Sequence, residues 1–142
     1  METLYTAHAH STGGRNGRVE SSDGLLKFNL SIPKSMGGPG QPDTTNPEQL
    51  FACGYSACFG SAIDLVAKQK KLSVKEIHVL ADVSIGRDDT GGFGLAAELK
   101  VYLPGLSSAE ANEVIQAAHQ VCPYSKATRN NIAVKLTVLD KL

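Results

Sequence analysis

A run of fourteen residues without a charge, inside a clearly marked helix, constrains the fold of this chain most strongly. The helix is predicted to begin after the capping residue Asn46, with Pro47 at its first position and Glu48 at the positive end of its dipole. It is predicted to end near Lys70. Residues 50–63 are apolar or small on nearly every side, which is typical of a helix buried all round. A second copy of the chain is one way to bury it.

The segments around this helix are predicted to be strands, and residues 25–32, 93–102 and 134–138 alternate apolar and polar residues as strands do. The predicted strands are residues 4–9, Arg18–Ser21, residues 25–32, residues 74–85, Phe93–Tyr102 and residues 134–138. A second helix is predicted to begin with the capping box of Ser107 and Glu110 and to end before Pro123. This order predicts an α+β fold with largely antiparallel pairing. Residues 33–45 are rich in proline and glycine, and they suit either a functional cover or a mobile connector.

Composition excludes several classes of protein. With 142 residues, 42% hydrophobic and 20% charged, the chain is predicted to form one globular domain, residues 1–142. Fourteen basic residues balance fourteen acidic ones, so neither nucleic acid nor a membrane surface is predicted as a partner. The apolar runs suggest no segment that spans a bilayer, and no secretory signal is visible. A cytoplasmic location is therefore expected.

Cysteine usage is more informative. The cysteines are Cys53, Cys58 and Cys122. An odd count without an export signal argues for at least one free thiol and against a disulfide framework. His119 lies one helical turn before Cys122, and His8 and His10 could share a strand face. No compact set of three or four ligands accompanies these histidines, so neither a metal nor another cofactor is predicted.

Cys58 lies in the middle of the apolar helix, where a thiol normally has a raised pKa and is inert. A nucleophilic Cys58 would need a nearby cation, and Arg18 is a candidate that Glu48 could hold through a bidentate ion pair. Spacing alone does not establish this arrangement. The alternative is that Arg18 is a solvated turn residue and that Glu48 only interacts with the helix dipole.

Two long motifs carry a family resemblance. Residues 46–59 (NPEQLFACGYSACF) and 119–130 (HQVCPYSKATRN) are similar to those of the organic hydroperoxide resistance proteins of the OsmC/Ohr superfamily. The similarity covers essentially the whole chain, including residues 13–18 (GGRNGR) and 36–40 (MGGPG). The resemblance implies an OsmC/Ohr-like fold, with antiparallel sheets around a long central helix, in an intertwined homodimer. It also implies a thiol-dependent peroxidase.

The same resemblance implies a role for each matched residue. Cys58 matches the peroxidatic cysteine and Cys122 the resolving cysteine, while Arg18 and Glu48 match the pair that activates the thiolate. Cys53 matches no catalytic position and is interpreted as a core residue. The Cys58–Cys122 disulfide would be reduced by a dithiol, which the resemblance implies to be a lipoyl group carried on a protein.

The apolar residues near Cys58 suggest a substrate class. Phe51, Phe59 and Ile63 could favour alkyl or lipid hydroperoxides over hydrogen peroxide. Two other interpretations stay open from the residues. One is a small-molecule-binding stress protein of the same fold with structural cysteines. The other is a redox sensor whose Cys58–Cys122 disulfide alters partner binding.

Helix geometry adds a constraint on how a site could be built. Glu48 and Cys58 are ten residues apart, so on one helix they lie about 15 Å apart along the axis and about 80° apart around it. A compact arginine–glutamate–cysteine site is hard to build from one such helix. We therefore expect Arg18 and Glu48 of one subunit to serve Cys58 and Cys122 of the other.

Overall fold

The computed structural model describes all 142 residues and has the predicted α+β class. Its elements are β1 Ala9–Thr12, β2 Arg18–Ser21, β3 Lys27–Asn29, α1 Pro47–Gln69, β4 His78–Arg87, β5 Phe93–Tyr102, α2 Ser108–Val121, α3 Pro123–Thr128 and β6 Ala133–Val138. The chain divides into two compact units, residues 1–50 and 51–142, which are described in turn. A single domain over the whole chain stays a prediction.

The first unit contains an antiparallel sheet in the order β1-β2-β3. The strand predicted at residues 4–9 begins only at Ala9, because the pairing with β2 extends from the Ala9–Ser21 pair to the Thr12–Arg18 pair. Between these strands, residues 14–16 form a 3-10 turn. A side chain on Gly17 would lie 1.7 Å from the Thr12 carbonyl oxygen, so the turn requires glycine there.

Backbone hydrogen bonds fix the conformation of the long loop of residues 33–45. A 3-10 turn at residues 34–36 ends at Gly37, whose φ of 80° is a left-handed conformation that glycine adopts readily. The N–H groups of Gly38 and Gly40 donate to the carbonyls of Pro33 and Ile32. At the end of the loop, Thr45 forms a parallel bridge with Leu30. The loop is therefore folded back on the segment that precedes it.

The second unit has a sheet in the order β4-β5-β6, in which β4 and β5 are antiparallel and β5 and β6 are parallel. The parallel pair requires a crossover connection, which α2 and α3 provide. The predicted alternation of β5 is confirmed, since Ala97, Leu99 and Val101 are buried. These side chains join the buried faces of α1 and α2 in one hydrophobic core.

Helix α1 has nearly the predicted bounds, and Asn46 Oδ1 accepts the Gln49 backbone N–H at 2.9 Å, as a capping residue does. Its buried stripe is Tyr55, Phe59, Ala62, Ile63, Val66 and Ala67. The face that carries Cys53 and Ala57 is exposed, so within one chain the helix is buried on one side only. The interpretation of Cys53 as a core residue is thus wrong, because Cys53 points away from the buried stripe.

The same helix is the one candidate for a membrane-spanning segment, since by length and composition alone α1 is apolar enough to cross a bilayer. The central helix of a protein core passes the same test, and α1 packs its stripe into the core of the second unit.

The second helix confirms its sequence signals. The Ser107 side chain accepts the Glu110 backbone N–H and the Glu110 side chain accepts the Ser107 backbone N–H, which is a complete capping box. The apolar face of α2 is buried and consists of Ala111, Val114, Ile115 and Ala118. The second helix ends before Pro123 as predicted, and Pro123 then begins the short helix α3, because proline suits a first helical position as well as it ends the preceding helix.

Candidate functional site

The structure brings together two of the three cysteines. Cys58 and Cys122 are 64 residues apart in sequence, and their Sγ atoms are 3.6 Å apart. Both are free thiols; Cys58 is half-buried in the middle of α1, and Cys122 is fully buried at the junction of α2 and α3. Since a disulfide is about 2.05 Å long, the two sulfur atoms need to approach by only about 1.5 Å to form one.

The surroundings of Cys58 do not by themselves favour a thiolate. Burial raises the pKa of the Cys58 thiol above its ordinary value of 9.0, and the neighbouring Cys122 raises it further. The backbone N–H of Tyr124 acts in the opposite direction, because it donates a hydrogen bond to the sulfur. The second unit alone therefore leaves the thiol weakly acidic, and a reactive Cys58 needs a positive charge from elsewhere.

The Tyr124 N–H is available because of how α3 begins. Cys122 caps the helix and Pro123 occupies its first position, so the Tyr124 N–H lies in the first turn, where backbone donors have no partner within the helix. The Tyr124 ring stacks on Phe51, with centroids 6.0 Å apart and planes 22° apart. Gly54 leaves space for this ring, since a Cβ there would lie 3.0 Å from the Tyr124 hydroxyl oxygen.

The first unit contains a bidentate ion pair between Arg15 and Glu48. Arg15 Nη1 donates to Glu48 Oε2 at 2.9 Å, and Arg15 Nη2 donates to Glu48 Oε1 at 2.6 Å. The hydrogen bond from Arg15 lowers the pKa of the Glu48 carboxyl, and the hydrogen bond to Glu48 raises the pKa of Arg15. Glu48 is well shielded, with 11% of its side chain exposed, whereas Arg15 keeps 36%. The planar guanidinium is thus held in one orientation.

This ion pair corrects the prediction for Arg18. Arg18 is the first residue of β2, where its backbone pairs with Thr12 and Asn29 and its side chain is exposed. The 3-10 turn three residues earlier carries the arginine that Glu48 binds. Both arginines lie in the motif of residues 13–18, and nothing in that pattern shows which one faces the helix end. Only the folded turn distinguishes them.

The three predicted substrate-binding residues have different positions. Phe59 and Ile63 are fully buried in the core, so the structure does not place them on a surface that a substrate could reach. Phe51 is half-buried and lies against Tyr124. Tyr124, which the sequence did not single out as a site residue, thus contributes both a ring beside Phe51 and a donor to Cys58. No group of three or more His, Cys, Asp or Glu side chains could hold a metal ion.

Comparison with known proteins places the chain in a family. The family model described as OsmC-like protein matches residues 39–137. An organic hydroperoxide resistance protein of Xanthomonas axonopodis pv. citri (strain 306) is 52% identical over 138 residues, covering 96% of each chain. A crystal structure of such a protein from Elizabethkingia anophelis, with thiocyanate bound, has a TM-score of 0.91 at 54% identity and covers 99% of this chain and 100% of that one. OhrB of Bacillus subtilis has a TM-score of 0.89 at 43% identity, covering 96% and 100%. The chain therefore belongs to the OsmC-like family and, within it, to the organic hydroperoxide resistance proteins.

Proposed function

We propose that this protein is a thiol-dependent peroxidase that reduces organic hydroperoxides to alcohols. The observation that carries the proposal is the 3.6 Å distance between the Cys58 and Cys122 sulfur atoms in the reduced state. Two free thiols at this distance, one half-buried and one fully buried, suit a reaction in which the first thiol is oxidised and the second closes a disulfide. Relatives named for organic hydroperoxide resistance support the substrate class.

The first step oxidises Cys58. Its thiolate attacks the distal oxygen of the hydroperoxide, the O–O bond breaks, and the leaving alkoxide takes a proton to become an alcohol. Cys58 becomes a sulfenic acid, so sulfur loses the two electrons that the peroxide gains. Cys122 then attacks the Cys58 sulfur; the S–S bond forms, the S–OH bond breaks, and the hydroxyl leaves as water with the thiol proton.

The charge that activates Cys58 is supplied, in this proposal, by Arg15 held on Glu48. A guanidinium near the sulfur would lower the Cys58 pKa, and its N–H groups could bind the peroxide oxygens as charge moves onto the leaving group. Glu48 keeps the guanidinium oriented through two hydrogen bonds. We assign to Arg15 the role that the sequence suggested for Arg18.

We further propose that the Arg15–Glu48 pair of one subunit serves the thiols of the other in a homodimer. Support comes from the exposed face of α1, where a groove of about 520 Å³ is lined by Ser56, Ala57, Gly60, Ser61 and Asp64 of the helix, together with Ile77 and Val79. A helix without charges over residues 50–63 is usually buried all round, so this face suits a second copy of the chain.

Phe51 and Tyr124 are the aromatic groups that we propose to contact the organic part of the substrate. For recycling, we propose a dihydrolipoyl dithiol carried on a protein, as the family resemblance implies. The dithiol would give two electrons to the Cys58–Cys122 disulfide through a mixed disulfide and would itself become oxidised. Turnover with dihydrolipoamide, measured beside turnover with reduced thioredoxin, tests this choice of reductant.

The decisive experiment counts titratable thiols after mixing reduced protein with one equivalent of cumene hydroperoxide or hydrogen peroxide. Wild type should lose two thiols rapidly with the organic peroxide and much more slowly with hydrogen peroxide. Cys58→Ser should react with neither, and Cys122→Ser should stop at the sulfenic acid. If wild type and Cys58→Ser react at the same slow rate, the peroxidase is rejected and a binding protein with structural cysteines takes its place.

Subunit sharing has its own test. Arg15→Ala and Cys58→Ser chains are each expected to be inactive alone. When they are unfolded together and refolded, mixed dimers should contain one site with Arg15, Glu48, Cys58 and Cys122 all intact, and part of the activity should return. Absence of any recovery, with mixed dimers shown by mass spectrometry, would mean that each site is built within one chain.

A further inference from the structure

A buried chain of polar side chains lies beside Cys122, and the proposed reaction does not use it. The Tyr55 hydroxyl is 2.9 Å from Ser125 Oγ and 3.2 Å from Thr128 Oγ1. Ser125 Oγ is also 2.9 Å from His119 Nδ1. Tyr55 and Ser125 are fully buried, and Thr128 is nearly so. Groups this deeply buried are retained in a core only when they are hydrogen-bonded, which all of them are.

The geometry determines which group donates at each link. Thr128 Oγ1 lies 3.1 Å from the Ser125 carbonyl oxygen, and a carbonyl can only accept, so Thr128 donates to it. Tyr55 must then donate to Thr128, and Ser125 must donate to Tyr55. His119 completes the chain by donating its Nδ1–H to Ser125. Each hydroxyl gives one hydrogen bond and accepts one, and His119 needs a proton on Nδ1.

This hydrogen-bond chain joins the two elements that carry the reactive thiols. Tyr55 lies on α1 three residues before Cys58, whereas Ser125 and Thr128 lie on α3. His119 is in the last turn of α2, so Cys122 has a member of the chain three residues before it and another three residues after it. Arg129 adds a further link, since its Nη2 donates to the His119 carbonyl oxygen at 2.6 Å. The segment after Cys122 is thereby bonded directly to α1 through Tyr55, and the segment before it is bonded to the same network through His119 and Ser125.

We propose that Tyr55, Ser125, Thr128 and His119 form a positioning network that holds Cys122 at attack distance from Cys58; the inference rests on the proposed peroxidase function. Its consequence concerns the sulfenic acid. Cys122 competes for this intermediate with a second hydroperoxide, which would transfer an oxygen atom to the sulfur, leave as an alcohol, and convert Cys58 irreversibly into a sulfinic acid. A well-positioned Cys122 closes the disulfide first, so the network protects the enzyme from its own substrate.

Tyr55→Phe and Ser125→Ala test the proposal. Tyr55→Phe removes one hydroxyl without changing the ring. Ser125→Ala removes the hydroxyl that is hydrogen-bonded to both Tyr55 and His119. After cumene hydroperoxide is added, stopped-flow measurement should give an unchanged rate of sulfenic acid formation. Disulfide closure should slow about fivefold, the effect expected for one lost buried hydrogen bond. Intact-protein mass spectrometry should show a sulfinic acid fraction that is higher by a similar factor.

The matched control is Ile115→Val, which removes one methylene from the fully buried face of α2 and leaves the hydrogen-bond chain intact. It should lower the unfolding midpoint without raising the sulfinic acid fraction. If Ser125→Ala does not fold, Tyr55→Phe provides the test, since it keeps every core contact of the ring. Equal sulfinic acid fractions in wild type, control and network variants would overturn the positioning role.

Failure of this inference is distinguishable from failure of the proposed function. Wild-type protein that forms no sulfenic acid and no disulfide with cumene hydroperoxide would reject the peroxidase itself. Wild-type protein that closes the disulfide rapidly, with Tyr55→Phe closing it at the same rate, would reject only the network.

Discussion

At the residue scale, the pKa of the Cys58 thiol determines how readily it reacts, because only the thiolate attacks a peroxide. Burial and the neighbouring thiol raise this pKa, and one backbone N–H lowers it. A thiol in that state is mostly protonated at neutral pH and reacts slowly with peroxide. The proposed solution is the guanidinium of Arg15, and a comparison of the two arginines in the 13–18 motif tests it directly.

Arg15→Ala should raise the pKa of Cys58, because a nearby positive charge is lost, and slow its reaction with cumene hydroperoxide about tenfold at neutral pH. Arg18→Ala is the matched control, because Arg18 is an exposed arginine three residues away in the same motif. It should leave both quantities unchanged. The measurement is the rate of Cys58 alkylation against pH, with Cys53 replaced by serine so that the third thiol does not contribute. A large effect of Arg18→Ala with none of Arg15→Ala would reverse the assignment.

His119 makes stability depend on pH. Burial lowers its pKa from the ordinary value of 6.5, and the charge of Arg129 lowers it further. The unfolded chain therefore binds the proton at a higher pH than the folded chain does. The stabilising contribution is fully present above pH 6.5 and is lost as pH falls from there toward the folded pKa.

In urea unfolding, wild type should lose stability between pH 7 and pH 5.5, and His119→Gln should lose less over the same interval. Glutamine keeps an N–H donor near Ser125 but cannot take up a proton in this range. Parallel losses in the two proteins would show that another group is responsible for the slope.

At the scale of secondary structure, α1 and α3 can approach each other closely at Gly54 because glycine has no side chain. Gly54→Ala would place a Cβ 3.0 Å from the Tyr124 hydroxyl oxygen and 3.2 Å from its Cε2. Alanine is favoured over glycine inside a helix by up to about 1 kcal/mol, and the half-exposed ring can move outward. We expect little change in the free energy of unfolding, but slower oxidation of Cys58 because Tyr124 also holds a backbone donor against its sulfur.

Stopped-flow oxidation and urea unfolding of Gly54→Ala separate these two effects. Adding Tyr124→Phe to the same chain removes the atom nearest the new Cβ and should restore part of the rate. A loss of stability that accompanies the loss of rate, with no recovery in the double variant, would contradict this account of the contact.

Elements with local signals were the ones that the sequence predicted well. The capping box of Ser107 and Glu110 and the proline at position 123 predict the ends of α2, and strict alternation predicts β5 with its observed bounds. Residues 4–9 are also predicted as a strand, yet the pairing with β2 begins only at Ala9. Local sequence contains no information about such partners, and for the same reason it does not show that Glu48 binds Arg15 instead of Arg18, or that Phe59 is fully buried.

The cap itself can be tested. Ser107→Ala removes the side chain that accepts the Glu110 N–H and should lower the free energy of unfolding by about 1 kcal/mol. The rate of Cys58 oxidation should not change, because the cap lies at the opposite end of α2 from Cys122. A large change in that rate would show that the start of α2 is coupled to its end.

For the whole molecule, the open question is what covers the exposed face of α1. A single chain buries one stripe of this helix, which has no charge over residues 50–63, and leaves the face with Cys53, Ala57 and Ser61 exposed. If a second copy covers this face, then Ala57→Arg should disrupt the dimer, because a long side chain in the groove would hold the two subunits apart and its charge would lose hydration at the contact. Gln116→Arg, on the exposed face of α2, is the matched control.

Sedimentation velocity should show a dimer for wild type and for Gln116→Arg and a monomer for Ala57→Arg, while circular dichroism shows the same helix content in all three. The rate of the reaction with cumene hydroperoxide then tests whether the dimer is needed for activity. If Arg15 of the partner subunit completes each site, the monomeric Ala57→Arg protein should keep both thiols yet react with cumene hydroperoxide about as slowly as Arg15→Ala. A monomer with the full wild-type rate would mean that one chain suffices. A dimer formed by Ala57→Arg would mean that another surface holds the subunits together.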